Sequence, residues 1–124
     1  MDRSLDIEVA SKIFGYTDIK EQIVRGVGCP DHSMLFGLCP KTGKRQMVDW
    51  FSAGIAVAWQ IVELVESMGL TVGVCFKKGT WMCCIGPSDD PFAWIWWRSD
   101  TVEEAICRCA LKAKAEGLFK KREE

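Results

Sequence analysis

The second half of the chain contains three short segments in which both alternating sets of side chains are apolar. They are LTVGVCF, TWMCCIG and FAWIWWR, within residues 70–98. Side chains alternate between the two faces of a strand, so a strand with one wet face carries polar residues at every second position. These segments lack that alternation, and the links KKG and PSDDP are short enough for hairpins. We therefore predict an antiparallel three-stranded meander that helices or a second subunit cover on both faces.

Three amphipathic patterns predict helices that pack on this sheet. They are SLDIEVASKIFGY at residues 4–16, SAGIAVAWQIVELVESMG at 52–69 and SDTVEEAICRCALKAKAEG at 99–117. Ser4, Ser52 and Asp100 are the predicted N-caps, because their side chains can accept hydrogen bonds from free backbone amides, and Gly69 is a predicted C-terminal stop. The predicted fold class is α+β, an α/β/α sandwich in which the antiparallel sheet is packed between α-helices.

The segment between the first two predicted helices has the weakest pattern. We interpret residues 17–50 as an irregular insert, because TDIKEQIVRGVG has no clean period and contains two glycines. Within this insert, HSMLFGLCP and RQMVDWF, joined by KTGK, predict a hairpin. The whole chain, residues 1–124, is predicted to be a single domain with a frayed tail from about residue 117.

Composition and charge narrow the range of functions. A chain of 124 residues with a formal net charge of −1 is not suited to bulk nucleic-acid binding, which relies on positive potential. No apolar run approaches the roughly 20 residues that cross a bilayer, and the polar N-terminus does not resemble a signal peptide. We therefore expect a cytoplasmic protein without a membrane partner.

The chain has seven cysteines, an odd number. Without an export signal they do not indicate a disulfide framework, because reducing compartments keep thiols free. Five of them lie in apolar segments, where a free thiol behaves as a small hydrophobic side chain. We expect these five to be buried: Cys75, Cys83, Cys84, Cys107 and Cys109.

Four pieces of the sequence resemble the phage ABA-sandwich domain, a module found mostly in bacteriophage and prophage genomes. They are LDIEVASKIFGY, FSAGIAVAWQIVELVESMG, the tryptophan-bearing hairpin and SDTVEEAICRCALKA, so the resemblance covers residues 4–16, 51–69 and 70–114. The last piece is the most specific, since it is similar to the family pattern Asp-Thr-x-x-x-Ala-Ile-Cys-Arg-Ala-Ala-Leu-Lys-Ala. The resemblance implies a sandwich fold and a phage origin.

The sequence also departs from the family pattern. Tyr16 stands where the family has tryptophan after glycine, and Phe51-Ser52-Ala53-Gly54 replaces Tyr-Ser-Thr-Asp, so a carboxylate near that helix start is missing. The resemblance implies fold far more than activity. By analogy with other small phage proteins, it implies a counter-defence role, such as sequestration of a nucleotide immune signal.

The sequence contains none of the common catalytic motifs, such as a nucleophile elbow or a phosphate-binding loop. Its one histidine is His32, and a thiol–base pair of this histidine with Cys29 or Cys39 has no diagnostic spacing. We therefore expect a protein that is not an enzyme and has no cofactor.

Zinc is the alternative for the same loop. Cys29 and His32 form a C-x-x-H motif, Cys39 follows seven residues later, and Asp31 or Cys84 would complete a tetrahedral set. The second paired knuckle of a zinc ribbon is missing. Loop cysteines with a solvated histidine are therefore the favoured interpretation, and zinc is the weaker one.

A pocket for a planar anion is the preferred functional interpretation. Indole rings stack on nucleobases, and phosphates bind to arginine and lysine. Two tryptophans and an arginine share one predicted strand face, and a Lys-Arg pair precedes another tryptophan near the second helix. The predicted site for a small nucleotide-like ligand is Lys44, Arg45, Trp50, Trp94, Trp96 and Arg98. In the alternative, the indoles fill the core and the cations form a solvated edge.

Protein binding is the third class of function. Surplus apolar surface on the second helix and the tryptophan strand predicts a homo-oligomer, or the contact face of an inhibitor or structural adaptor. The partner in that case would be a host defence protein. A ligand pocket would then be expected at the seam between subunits.

Overall fold

Residues 3–24, 28 and 32–119 are described in the computed structural model, and they form three α-helices and two three-stranded antiparallel sheets. The α-helices are α1 (Arg3–Glu8), α2 (Ile55–Ser67) and α3 (Val102–Ala115). A π-helical turn, Val9–Ile13, continues α1, and a 3-10 turn, Pro91–Ala93, precedes the last strand. The strands are β1 (Thr17–Val24), β2 (His32–Leu38), β3 (Arg45–Met47), β4 (Thr71–Lys77), β5 (Thr80–Gly86) and β6 (Ile95–Ser99). The predicted α+β fold class is confirmed.

The predicted meander is confirmed as the sheet with strand order β4-β5-β6. Cys83 of β5 lies opposite Val74 of β4 and Trp97 of β6. Lys78 and Gly79 join β4 to β5 with φ angles of 53° and 80°, and a type I′ hairpin turn requires positive φ at both positions. The side chains of this sheet that pack toward the core are Val72, Val74, Trp81, Cys83, Ile85, Ile95 and Trp97.

Helix α3 packs on this inner face of the sheet and also contacts α2 and the N-terminal helical segment. Its buried side chains other than Ile106 are small, and they are Ala105, Cys107, Cys109, Ala110 and Ala113. The Cys109 thiol lies 3.4 Å from the carbonyl oxygens of both Cys83 and Ile95. Small side chains allow this close approach of the helix to the sheet, and α2 packs beside α3 against β4.

The opposite face of the β4–β6 sheet, which we call the open face, is not covered by any described helix. On this face Trp96, from the edge strand β6, is 51% exposed. Its other members are Gly73, Cys75, Met82, Cys84 and Arg98, which the strand register places on the same side as Trp96. The expectation that both faces are covered is therefore not met within the single chain, because α2 and α3 lie together on the inner face.

The second sheet has strand order β1-β2-β3 and corrects the interpretation of residues 17–50. The hairpin of β2 and β3 is confirmed, but β1 occupies residues predicted to be irregular. The side chains of β1 that the structure describes are exposed except for the partly buried Ile19, so no apolar period marks the strand. Leu35 and Val48 anchor this sheet in the core.

The N-terminal helical segment is linked to the residues that precede α2. The Asp6 side chain is fully buried, and its Oδ1 accepts a hydrogen bond from the backbone N–H of Ser52 at 2.8 Å. The rings of Phe14 and Phe51 stack with their centroids 5.0 Å apart. The predicted N-cap at Ser52 is wrong, because α2 begins after Gly54, which makes no side-chain cap.

The other predicted helix ends are partly corrected. Gly69 follows α2 with a φ of 84°, as a C-terminal stop requires, so that prediction is confirmed. Ser4 lies within α1. The N-cap of α3 is Thr101 rather than Asp100, and its side chain accepts a hydrogen bond from the N–H of Glu104 at 3.2 Å.

The frayed tail that was predicted from about residue 117 is wrong for its first residues. Leu118 and Phe119 are buried, with exposures of 7% and 4%. The N–H of Leu118 also donates to the carbonyl oxygen of Ala113 at 3.0 Å. Residues 120–124 lie outside the described part of the chain.

The prediction of buried free thiols is confirmed at three of five positions. Cys83, Cys107 and Cys109 are buried and free, Cys84 is partly buried, and Cys75 is exposed. Burial raises the pKa of Cys107 to about 12. The pKa of Cys83 is also raised, first by its hydrogen bond with Cys109 and then by burial. Both thiols are therefore protonated and inert at neutral pH.

Ala110→Leu tests the close packing of α3. Ala110 is fully buried, and adding a larger side chain to a well-packed core typically costs about 1–3 kcal/mol. We expect the free energy of unfolding, measured by urea titration followed by circular dichroism, to fall by that amount. Ala56→Leu is the matched control on an exposed position of α2 and should stay within about 0.5 kcal/mol of the parent. Equal losses in both variants would contradict the packing.

Candidate functional site

The α3 groove is a concave surface between the outer side of α3, the N-terminal helical segment and the edge strand β6. Its volume is about 600 Å³, within the range of roughly 300–1,000 Å³ that is typical of ligand pockets. The indole of Trp97 lines it, and Leu111 and Phe119 add apolar surface. The charged side chains that line it are Glu8, Lys12, Arg108, Lys112 and Lys114.

Two of the four cations in the α3 groove have acidic partners. Lys12 Nζ lies 3.5 Å from a Glu8 carboxylate oxygen, and Arg108 Nε donates to Glu104 at 2.8 Å. Among the described residues, no carboxylate forms an ion pair with Lys112 or Lys114. The groove therefore concentrates positive charge in a chain whose net charge is −1.

The contact between Lys112 and Trp97 brings an ammonium group next to the aromatic surface of the groove. Lys112 Nζ lies 5.8 Å from the centroid of the Trp97 ring, within the range of a cation–π contact that contributes about 0.5–1 kcal/mol at exposed sites. Cations in the last turn of α3 also offset the negative end of the helix dipole. A flat aromatic surface and an ammonium group are thus adjacent, as a ligand with a planar ring and an anionic group would require.

Trp96 and Arg98, two of the predicted ligand residues, are together on the open face. With Met82 and Trp97 they line a shallower cavity of about 480 Å³. Arg98 also lines a cavity of about 260 Å³ with Lys77 and Lys78. Trp97 is common to the first of these cavities and to the α3 groove, because β6 is an edge strand with one indole on each face. A ligand role for Trp96 and Arg98 stays a prediction.

Trp94 has a structural position. Its indole Nε1 donates to the carbonyl oxygen of Pro87 at 2.8 Å. The ring lies against the backbone of Gly86, where an added Cβ would meet it at 2.5 Å. Trp94 precedes β6 with an extended backbone, and its ring covers Gly86 on the side of the sheet that carries Cys84 and Trp96, as the shared strand face predicted. Phe92 lies in the 3-10 turn with 97% exposure.

Lys44, Arg45 and Trp50 lie on or beside the other sheet, and the structure does not bring them to Trp96 and Arg98. The Arg45 guanidinium donates to the Asp18 carbonyl oxygen at 3.1 Å and pairs with the Asp18 carboxylate. Asp18 has a φ of 51° and lies at the irregularity where β1 begins to pair with β2. Arg45 therefore stabilises this irregular start of strand β1. Lys44 is exposed in the turn, and Trp50 is partly buried.

The weaker zinc prediction falls largely outside the described residues. This applies to Cys29, to Asp31 and to the side chain of His32. Cys39 is buried at the end of β2, where backbone N–H groups of Thr42 and Lys41 donate to its sulfur and lower its pKa. In the described part of the chain, no three His, Cys, Asp or Glu side chains are grouped to hold a metal ion. Zinc at this loop stays a prediction.

The α3 groove was not predicted from the sequence, because Trp97 was given no ligand role and Lys112 and Lys114 lie on the wet side of the last helix pattern. The signal that could have identified the groove is the i, i+4 pair Arg108 and Lys112 beside Leu111 on that same side. A wet helix face with an apolar residue among its cations indicates contact with another surface.

The comparisons with known proteins give one match. The family model described as the phage ABA sandwich domain matches residues 7–111. No curated protein and no solved structure matches the chain. Among the described residues, no helix has the length and apolar content that crossing a membrane requires.

Gly86→Ala tests the structural position of Trp94. The new methyl group would collide with the indole ring, so we expect the free energy of unfolding to fall by about 1–3 kcal/mol. In a Trp94→Ala background the same change should be neutral or slightly stabilising, because alanine restricts the unfolded chain. A double-mutant cycle by urea titration measures the difference. If Gly86→Ala costs the same in both backgrounds, Trp94 does not pack on Gly86.

Proposed function

The chain belongs to the phage ABA sandwich domain family, and from this premise we propose that it binds a small nucleotide-like anion in the α3 groove without converting it. The ligand has a planar aromatic ring and at least one phosphate. The ring lies against Trp97, and the phosphate pairs with Lys112 and Lys114. This location differs from the site predicted from the sequence, which was built around Trp96 and Arg98.

The observation that carries this proposal is the position of Lys112 over the Trp97 ring in a cavity of about 600 Å³. A base that stacks on an aromatic ring contributes about 1–3 kcal/mol, whatever its identity. An ammonium group beside that ring would bind the phosphate that a nucleotide carries. Lys112 and Lys114, which pair with no carboxylate in the described part of the chain, are the cations that a ligand can engage without breaking an ion pair seen there.

The groove supports binding rather than catalysis. Among the described residues that line it there is no serine, cysteine or histidine, and the one carboxylate, Glu8, is paired with Lys12. A nucleophile or a general base would have to come from such side chains. We therefore propose that the protein is not an enzyme.

Such binding supports a counter-defence function. A phage protein that holds a nucleotide immune signal lowers the free concentration of that signal in the infected cell. The protein would then act in the cytoplasm of the bacterial host, as a sequestering protein. No cofactor is needed for this function.

Protein contact is the second candidate function, as an inhibitor or a structural adaptor. It is favoured by the open face, where Trp96 is 51% exposed beside the partly buried Met82 and Cys84. Exposed apolar patches of this kind are typical of protein contact sites. The two candidates use different faces of β6, so substitutions can separate them.

Lys112→Ala tests the α3 groove. Titration calorimetry with cyclic dinucleotides and ADP-ribose nucleotides should show binding to the parent chain that Lys112→Ala weakens about 10- to 100-fold, the loss expected for one charge-assisted hydrogen bond. Ligand binding should also quench indole fluorescence, and Trp97→Phe should remove that quenching. After denaturation of the complex, the nucleotide should be recovered intact.

Lys41→Ala is the matched control, since it removes an exposed lysine in the turn after β2. It should bind like the parent. Equal affinities of Lys112→Ala and Lys41→Ala would exclude the groove, and a loss confined to Arg98→Ala would move the site to the open face. Recovery of a cleaved nucleotide would contradict a function limited to binding.

A further inference from the structure

The open face has an apolar centre and two ends of opposite charge. Met82, Cys84 and Trp96 form the centre, with Trp96 directly opposite Cys84. At the hairpin end of the sheet, exposed Lys77 and Lys78 line one cavity with Arg98, and no described carboxylate lines that cavity. Exposed Asp100 follows β6 at the same end, so three cations there outnumber one carboxylate.

The other end of the same sheet is acidic. Strand β5 runs from Thr80 at the hairpin to Gly86, and the link to β6 then carries Asp89 and Asp90, both exposed. Asp90 also accepts a hydrogen bond from the N–H of Phe92 and so holds the 3-10 turn. Asp89 has no such role in the turn. The two charged ends are about 20 Å apart, the length of a seven-residue strand.

We propose that the open face binds a second copy of this chain, face to face. The two-fold axis lies between the two sheets and is perpendicular to the strands. Such an axis reverses the strand direction, so the cationic end of one copy meets the acidic end of the other. An axis parallel to the strands would place lysine against lysine. The charge pattern is therefore self-complementary in only one of these two arrangements, which also brings β6 with Trp96 against β6 of the other copy.

The size of the face determines how stable this dimer is. Three strands at a spacing of about 4.8 Å and a length of about 20 Å offer less than the roughly 800 Å² per partner of a stable interface. The dimer should therefore be reversible, depend on concentration and weaken with salt. Burial of apolar surface at Trp96 provides the attraction, and the charged ends of the open face determine how the two copies are oriented.

Charge reversal at the two ends tests the orientation. In a two-fold dimer, Lys77→Glu alone or Asp89→Lys alone turns two attractive contacts into two repulsive ones, so each variant should raise the dimer dissociation constant by at least about tenfold. A mixture of the two variants restores attraction at both contacts, so the mixed dimer should form with nearly the affinity of the parent. Sedimentation equilibrium across a concentration series measures all three.

Glu63→Lys provides the control for a change of charge alone, because Glu63 is exposed on α2. It should dimerise like the parent, whereas Trp96→Glu should be monomeric with an unchanged circular dichroism spectrum. A parent chain that stays monomeric into the millimolar range would overturn the proposal, even if it bound another protein through Trp96. A dimer that Trp96→Glu leaves intact, or one that mixing the two reversal variants does not restore, would overturn it as well.

Discussion

The close approach of α3 to the β4–β6 sheet determines where every other surface of this protein lies. It depends on small side chains, since Cys109 lies 3.4 Å from two strand carbonyl oxygens and Ala105, Ala110 and Ala113 are fully buried. With one side on the sheet and another against α2 and the N-terminal segment, α3 has only a narrow outer strip left. That strip carries Lys112 over Trp97, so the position of the groove follows from the packing of the core.

The two apolar faces of the meander have different explanations. The inner face is covered by the helices, and its centre, Cys83 and Ile85, is buried. The open face also carries apolar residues at alternate strand positions, but no described helix covers it. An apolar pattern predicts that a strand face packs against another surface, but it does not show whether that surface belongs to the same chain or to another one. This is why the sequence predicted two dry layers and the single chain supplies one.

The parts of the fold that the sequence predicted are those governed by local rules. The meander, its tight turn at Lys78 and Gly79, and the stop at Gly69 follow from side-chain alternation and backbone preference. Strand β1 escaped prediction because its order comes from pairing with β2 and from the Arg45–Asp18 contact, across 27 residues. The groove escaped for a similar reason, since Trp97 and Lys112 are 15 residues apart in sequence and meet only once the helix has docked.

Strand β6 contributes residues to both the α3 groove and the open face. It is an edge strand, paired on one side by β5 and free of a strand partner on the other within the described sheet. Its consecutive residues Trp96 and Trp97 point to opposite faces, and Trp97 contributes to cavities on both sides of the edge. A shift of this strand that improved contact at one indole would change the position of the other. Any coupling between a ligand in the groove and a partner on the open face would therefore pass through five residues, and it would act equally in both directions because linkage is reciprocal.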